Sequence, residues 1–595
     1  MTSKFALRSL KMPKTLSRLL PLGTTLLIGG GAIAYLNFAQ RAPRSLLPTG
    51  IQLVPQSALA TMTLTTDELT WTKLRQFGTD ETQQQFDSLL SEWKTRLFTE
   101  NGYSFKRDIK PWIGDRVTLA VLSDRDATDQ APAAGTIESA TQHLVLVVPI
   151  ADPLKAKTLL EDGPKRSQVG LESRTYQGIT VQTTKTTDGT PIESAVIGSK
   201  WLLLSNGAQG IEQAIDTYKK GRSLMDSGGY RKAINQNAAP QPPGKNVAQF
   251  YINIPALSQT LAPPSSGSAD TLTEQRSLVP LQGSEGIVAT ALVESEGVRF
   301  QGTSWLLPKN DLAYSELRNE ASEMPRRLPG DTLIMMSGSN LQQFWQGFSE
   351  GNTSPPFFPD PQTLKAGLLT QTGLDLDEDI MPWAAGEFSL ALLPPESNLR
   401  GTADPDTESA EVDPSEADPS EVDPSINSAP LMIMVQTNDR RAAESVWAQL
   451  DNVMASRYRF DVETNEFEGG SVTEWISPFQ GVQFSHGWLP GNVTFFGIGT
   501  GIGNAIAPSP ESPLAIARPF QLLTSKAPTP NNGHFYINLA QINATDGGVF
   551  PLPQLSTEGA TAAIEAVGLT TQVNNRTMDY DLYVRLAKGD QPEPL

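Results

Sequence analysis

The sequence predicts an α+β fold in which two tandem copies of a mixed, mainly antiparallel sheet domain with packed helices follow one N-terminal transmembrane helix. Three observations support this prediction: an uncharged apolar segment near the N-terminus, a fifteen-residue motif that occurs twice, and β-rich runs that stand next to each other between isolated helices. Strands that follow one another directly favour antiparallel pairing, whereas a doubly wound parallel sheet requires strands and helices to alternate.

Length and composition set the limits of this prediction. The chain has 595 residues, which exceeds the size of a single hydrophobic core, and its 38% apolar content is enough to bury large cores. The net charge of −19 gives no broad attraction to nucleic acid, so we expect no nucleic-acid partner. The absence of cysteine excludes disulfides, thiolate catalysis and Cys-ligated zinc.

The N-terminal segment predicts a membrane anchor. Residues 19–38 carry no charge over 20 positions, which is long enough for a helix to cross the bilayer core. Five basic residues and no acidic residue precede this segment, so residues 1–18 are expected to stay in the cytoplasm and the bulk of the chain to lie outside it. The alternative is a cleaved signal peptide with its cleavage site at residues 32–34. The uncleaved anchor is favoured because the apolar run continues to Phe38.

One motif occurs twice, 271 residues apart. Residues 108–122 read DIKPWIGDRVTLAVL, and residues 379–393 read DIMPWAAGEFSLALL. Seven of the fifteen positions are identical without gaps, where ordinary composition predicts about one. Further matches, among them the tetrapeptide FYIN, follow in the same order along the chain. We therefore predict tandem copies at residues 46–307 and 325–587, joined by a linker at 308–324.

The first half of each copy begins with a helix and continues with strands. An amphipathic helix is predicted over residues 81–100, because its apolar residues recur on one helical face. The Pro-Trp turn follows, and Trp112 and Trp383 are the expected core anchors beside it. Two β-rich runs then predict strands at 117–122 and 143–150. The apolar face of the helix comprises Phe86, Leu89, Leu90, Trp93 and Leu97.

The second half of the copy alternates short helices with strand pairs. Asp152 is placed to cap a helix. Residues 194–206 predict two strands around Gly198, and residues 207–220 predict a helix. A further strand, AQFYINI, precedes a hairpin that turns near residues 295–297. The residues of the 207–220 helix that we expect to face inward are Ile211, Ala214, Ile215 and Tyr218.

The second copy also carries an acidic insert at residues 394–429. This segment contains EVDPSEADPSEVDPS and holds ten acidic residues and one basic residue, Arg400, so it contributes −9 to the net charge. Proline removes backbone donors and like charges repel one another, so we expect a disordered loop between two strands.

Two of these features resemble a known family. They are the Pro-Trp turn after an amphipathic helix and the segment IESAVIGSKWLLLSNGAQGIEQAID at residues 192–216. Both resemble an uncharacterised cyanobacterial family, the domain-of-unknown-function family numbered 3352, and the resemblance covers most of residues 50–590. It implies a membrane-anchored protein that faces the periplasm or the thylakoid lumen. It implies no activity and no site residues.

Two stretches resemble ligand-binding loops. The glycine-rich residues 495–503, FFGIGTGIG, fit neither G-x-G-x-x-G nor a Walker loop, so a tight turn is favoured over nucleotide binding. Residues 375–379 resemble the start of a calcium loop, but Ile380 stands where such a loop needs glycine. A solvated acidic turn is favoured there, with weak calcium binding as the alternative.

The three histidines do not form a recognisable site in the sequence. His143, His486 and His534 are far apart, and the chain contains neither HExxH nor a GxSxG elbow. His534 occupies the position that Gln249 holds in the first copy. The sequence therefore predicts no catalytic residue, no cofactor and no metal site, while a carboxylate pair built from distant residues stays open.

These observations favour a non-enzymatic protein. We expect a single-span membrane protein whose extracytoplasmic copies bind a protein partner in an assembly or quality-control role. One alternative is a carrier or sensor of an apolar or lipid-like ligand, which would bind in a cleft. A second alternative is a divergent hydrolase, which would require a polar pocket with clustered carboxylates or a Ser-His pair.

Overall fold

The computed structural model describes residues 48–95, 104–123, 142–158, 172–185, 191–236, 245–261, 283–308, 317–350, 360–395, 429–477, 483–544 and 562–589. The chain divides into two compact units. The first unit comprises residues 1–312 and 587–595, and the second comprises residues 313–586.

The first unit is built on one antiparallel sheet. The sheet order in its described residues is β4-β5-β6-β7-β3-β2-β1-β8-β9-β10, and every neighbouring pair is antiparallel. The strands predicted at 117–122, 143–150 and 194–206 and the hairpin predicted near 295–297 are confirmed. The strands are β1 (Ala60–Thr65), β2 (Arg116–Leu122), β3 (His143–Pro149), β4 (Glu172–Tyr176), β5 (Ile179–Lys185), β6 (Pro191–Ile197), β7 (Trp201–Ser205), β8 (Asn246–Asn253), β9 (Ser284–Glu294) and β10 (Gly297–Leu306).

Helices pack against this sheet. The predicted helix over 81–100 is confirmed through Lys94, and its residues 96–100 lie outside the described stretches. Asp152 caps a helical turn at residues 153–158, as predicted, because its carboxylate accepts backbone N–H groups of that turn. The named helices are α1 (Glu68–Leu74), α2 (Asp80–Lys94), α3 (Ala208–Lys220), α4 (Gly228–Gln236) and α5 (Ile254–Leu261).

The inward face predicted for α3 is correct except at its last turn. Ile211, Ala214 and Ile215 are buried in the core of the first unit, as expected from their helical spacing. Tyr218 is 45% exposed, so its predicted inward position is wrong. Its hydroxyl lies close to Gly198 in the β6–β7 loop, and this glycine has no side chain to cover the ring.

The second unit contains a sheet with the corresponding strand order. In its described residues the order is β14-β15-β16-β17-β13-β12-β11-β18-β19-β20, again with every neighbouring pair antiparallel. The strands are β11 (Ile334–Gly338), β12 (Phe388–Leu392), β13 (Leu431–Gln436), β14 (Asp461–Phe467), β15 (Gly470–Ile476), β16 (Gln483–Leu489), β17 (Val493–Ile498), β18 (Gly533–Asn538), β19 (Ile564–Asn574) and β20 (Thr577–Leu586).

Helices cover both faces of the second sheet. One face packs on α9 and α10 around Phe495 and Phe520. The opposite face packs on α6 and α8 around Trp345, Val446 and Trp475. The helices are α6 (Leu341–Ser349), α7 (Pro361–Thr372), α8 (Arg440–Ser456), α9 (Ile502–Ile506), α10 (Arg518–Thr524) and α11 (Leu539–Ala544). The predicted α+β class with a large antiparallel sheet is thus confirmed.

Several predictions fall on parts of the chain that the structure does not describe. The predicted span at 19–38 lies outside the described residues, and so do residues 396–428 of the acidic insert and 309–316 of the linker. No helix within the described stretches has the length and apolar character needed to cross a bilayer.

Candidate binding groove

The repeated Asp-Ile-x-Pro-Trp motif forms the same turn in both units. The Trp112 indole donates to the Asp108 carbonyl at 2.8 Å, and the Trp383 indole donates to the Asp379 carbonyl at the same distance. Each aspartate carboxylate accepts the backbone N–H four positions earlier at 2.7 Å. Both tryptophans are buried, as predicted. The motif therefore closes a surface turn over a buried tryptophan, and its hydrogen bonds serve the fold.

The two stretches that resemble ligand-binding loops form backbone turns in the structure. The Asp375 carboxylate accepts the backbone N–H groups of Asp377 and Glu378, so it caps the turn of residues 376–380. Gly501 has φ +76° and begins the five-residue helix α9, which confirms a tight turn at this position. Within the described residues, no group of three or more His, Asp or Glu side chains is arranged to hold a metal ion.

An Asp–His pair lies between α8 and the second sheet. His486 Nε2 lies 2.9 Å from Asp451 Oδ1, and the Trp475 indole donates to the same oxygen at 2.7 Å. The imidazole stacks on Trp447 of α8 with ring centroids 4.5 Å apart. Burial alone would raise the pKa of Asp451, but the hydrogen bonds from His486 and Trp475 outweigh it and lower the pKa below its ordinary value. Asp451 is therefore an ionised acceptor that joins α8 to two strands.

This pair is not arranged for base catalysis. The His486 side chain is 4% exposed, and its Nδ1 is buried without a hydrogen-bond partner. A general base must reach the proton that it removes, directly or through one water. The imidazole instead lies between two indole rings, so the pair gives the hydrolase alternative no support.

A groove opens on the first unit beside β5 and β6. Its volume is about 670 Å³, within the range of ligand-binding cavities. Leu154 is 79% exposed and Val196 is 40% exposed at its wall. The polar lining comprises the ammonium group of Lys157 and the hydroxyl or amide groups of Thr180, Gln182, Ser194 and Ser199. The apolar lining comprises Ile150, Pro153, Leu154, Ala156, Ile179, Ala195, Val196 and Leu202.

Comparison with known proteins assigns the family. The family model described as "Protein of unknown function (DUF3352)" matches residues 21–586. The chain belongs to this family. No curated protein matches this DUF3352 chain.

Solved structures give only distant similarities to the DUF3352 chain. Crystal form III of TP0453 is 10% identical, with a TM-score of 0.23, over 44% of this chain and 81% of that one. Crystal form I of TP0453 is 9% identical, with a TM-score of 0.21, over 45% of this chain and 81% of that one. Similarities this low carry no argument about function.

Sequence reasoning missed the groove. The sequence places Val196 and Leu202 correctly on strands, but nothing in a β-rich run shows which of its faces stays uncovered. A comparison of the two units position by position gives a signal, since Val196 has the ladder position in the first unit that Trp488 has in the second.

Proposed function

We propose that this chain is a non-enzymatic binding protein, held in the membrane by residues 19–38 with its N-terminus in the cytoplasm. Its bulk lies outside the cytoplasm, and the family resemblance favours a cyanobacterial periplasm or thylakoid lumen. Its partner is another protein, which it binds in an assembly or quality-control role. The observation that carries this proposal is the exposed, largely apolar groove of the first unit.

The proposal includes a tandem duplication, with copies at residues 46–307 and 325–587. The matching strand orders of the two units support it, and so does the register of the strand pairs. Met62 pairs with Leu119 and Phe250 in the first unit. Met336 takes the same place in the second, where its two partners lie on β12 and β18. Two unrelated domains would have no reason to share both order and register.

A protein partner suits the groove because its wall combines exposed aliphatic side chains with polar groups, among them Lys157. A contiguous apolar surface, in contrast to a single exposed side chain, is a feature of interaction sites. Leu154 projects from the first turn after Asp152, where it contacts solvent and no core. Covering Leu154 and Val196 would remove apolar surface from water, which favours association.

Photocrosslinking in intact membranes tests this proposal. A photoreactive amino acid replaces Leu154 in the full-length chain, and the matched control carries it at Leu69, which is 66% exposed in α1 of the same unit. We expect one defined polypeptide adduct at Leu154 that is absent at Leu69 and is lost when Val196→Trp fills the groove. Equal yields of the adduct at Leu154 and Leu69 would contradict a groove-bound partner. An adduct at Leu154 whose yield is unchanged by Val196→Trp would contradict it as well.

A second candidate is an apolar or lipid-like ligand, which the groove volume of about 670 Å³ favours. Mass spectrometry of organic extracts from the purified full-length chain distinguishes it from the first. A stoichiometric lipid that disappears in the Val196→Trp variant, without any polypeptide adduct at Leu154, would replace the protein-partner proposal.

A further inference from the structure

Three residues that directly follow β20 belong to the first unit. The first unit comprises residues 1–312 and 587–595, whereas β20 itself is part of the second unit. Residues 587–589, which we call the strap, form backbone hydrogen bonds with the turn that joins α1 to α2. The first unit is therefore completed by a segment that follows the whole of the second unit along the chain.

The strap pairs with this turn as an antiparallel bridge. The Gly78 N–H donates to the Ala587 carbonyl at 2.9 Å. The Gly589 N–H donates to the Gln76 carbonyl at 3.1 Å. Between these two bonds, residues 77 and 588 stand opposite each other as a pair that is not hydrogen-bonded. Both bonds join backbone groups, so they depend on the conformation of the strap and the turn.

Gly589 fits against the start of α2 because it has no side chain. A Cβ at this position would stand 2.6 Å from the Gly78 carbonyl oxygen and 2.5 Å from Gln83 Nε2, separations that Cβ atoms essentially never show. The Gln83 amide is itself held in place, since it donates to the Arg75 carbonyl at 3.0 Å. The strap, the turn and α2 therefore meet in one packed contact.

The same turn also anchors α2. The Arg75 guanidinium is buried and forms two hydrogen bonds with the Asp87 carboxylate, at 2.8 and 2.6 Å. The Thr79 hydroxyl accepts the Thr82 N–H and so caps the helix. Residues 75–79 therefore contact both the strap and α2.

We infer that residues 587–589 are a releasable strap that controls the order of the α1–α2 turn and of the start of α2. A bridge of two backbone hydrogen bonds contributes little free energy, so the strap can open without unfolding the first unit. When it opens, Gln76 and Gly78 lose their bonding partners and Gln83 loses a packed neighbour. Opening of the strap should then set the amide exchange rate over residues 76–88, while the central strands β1 and β8 stay protected.

Hydrogen exchange in the full-length chain tests the strap with two single substitutions. Gly589→Ala places a Cβ against the Gly78 carbonyl and opens the strap. Lys588→Ala is the matched control, because this side chain is exposed and both backbone bonds are kept. We expect Gly589→Ala to accelerate exchange over residues 76–88 by at least about tenfold, and Lys588→Ala to stay within about twofold of wild type. Peptides from β1 and β8 should exchange at the same rate in all three proteins.

A reversible crosslink tests the opening motion itself. The chain has no cysteine, so Phe77→Cys combined with Lys588→Cys allows a single intramolecular disulfide. The α-carbons of a pair that is not hydrogen-bonded lie about 4.5 Å apart in an antiparallel ladder, which suits a disulfide. We expect residues 76–88 of the oxidised variant to exchange at least about tenfold more slowly than after reduction, because the locked strap cannot open. The reduced variant has the same sequence and is the matched control.

Four results would overturn the inference. The first is an equal exchange rate over residues 76–88 in Gly589→Ala and Lys588→Ala. The second is an acceleration in Gly589→Ala that extends equally to β1 and β8, because the strap would then support the whole unit. The third is the absence of a disulfide between the two introduced cysteines under oxidising conditions. The fourth is equal exchange in the oxidised and reduced variant, which would exclude strap opening as the motion that exposes these amides.

Discussion

Replacing His534 by glutamine should remove much of the acid sensitivity of the second unit. His534 is buried on β18, where its Nδ1 lies 2.9 Å from the Thr570 hydroxyl and its ring packs on Phe520. Burial lowers the pKa of His534 to about 4, from an ordinary value of 6.5. Gln249 pairs with Thr290 at the corresponding place of the first sheet, so glutamine is compatible with this environment.

The sign of the effect follows from proton linkage. The unfolded chain binds a proton at His534 near pH 6.5, whereas the folded chain resists protonation down to about pH 4. The stability contributed by the neutral ring is therefore complete above pH 6.5 and is lost as the pH falls towards 4. With these two pKa values the loss reaches about 2 kcal/mol at pH 5 and about 3 kcal/mol at pH 4.

Hydrogen exchange across a urea series measures this loss in the full-length chain. Peptides from β18 and β19 report on the second unit, and peptides from β1 and β8 report on the first unit as an internal control. Between pH 7.5 and pH 5, the wild-type second unit should lose about 2 kcal/mol more than the His534→Gln variant. Each protein is compared with itself at the two pH values, so any pH-independent effect of the substitution on the free energy of unfolding cancels. Parallel losses in both proteins would refute the reasoning.

Three further predictions concern the second unit. Trp383→Phe leaves the Asp379 carbonyl without its indole donor, and should lower the free energy of unfolding by about 1–3 kcal/mol in urea titrations. Asp375→Ala removes the carboxylate that caps the following turn, and should cost about 1 kcal/mol by the same measurement, with Asp375→Asn retaining most of it. Burial raises the pKa of Glu387, whose carboxylate accepts the Met324 N–H. The stability that its protonated form contributes is lost as the pH rises above 4.5 through the raised pKa, so Glu387→Gln should abolish this part of the pH dependence of the unfolding midpoint.

Local sequence patterns were sufficient for several of the individual elements, although β1, β4, β5 and α1 were not predicted. The β-rich runs became strands, and α3 buried Ile211 and Ile215 because their helical spacing places them on one face. The Asp-Ile-x-Pro-Trp turn was also predictable, since its hydrogen bonds join groups within four residues of one another. Tyr218 was the exception, because the burial of a helical face also depends on what lies opposite its last turn.

The sequence by itself determined the α+β class, the acidic character of the chain and the repeated turn with its buried tryptophan, because these depend on composition and on contacts between near neighbours. Only the tertiary structure decided that β1 lies between β2 and β8, since strand order depends on contacts between residues far apart in the chain. The same holds for the Asp451–His486 pair, whose members are 35 residues apart, and for the groove. A groove is the surface that packing leaves uncovered, and no single segment of the sequence specifies it.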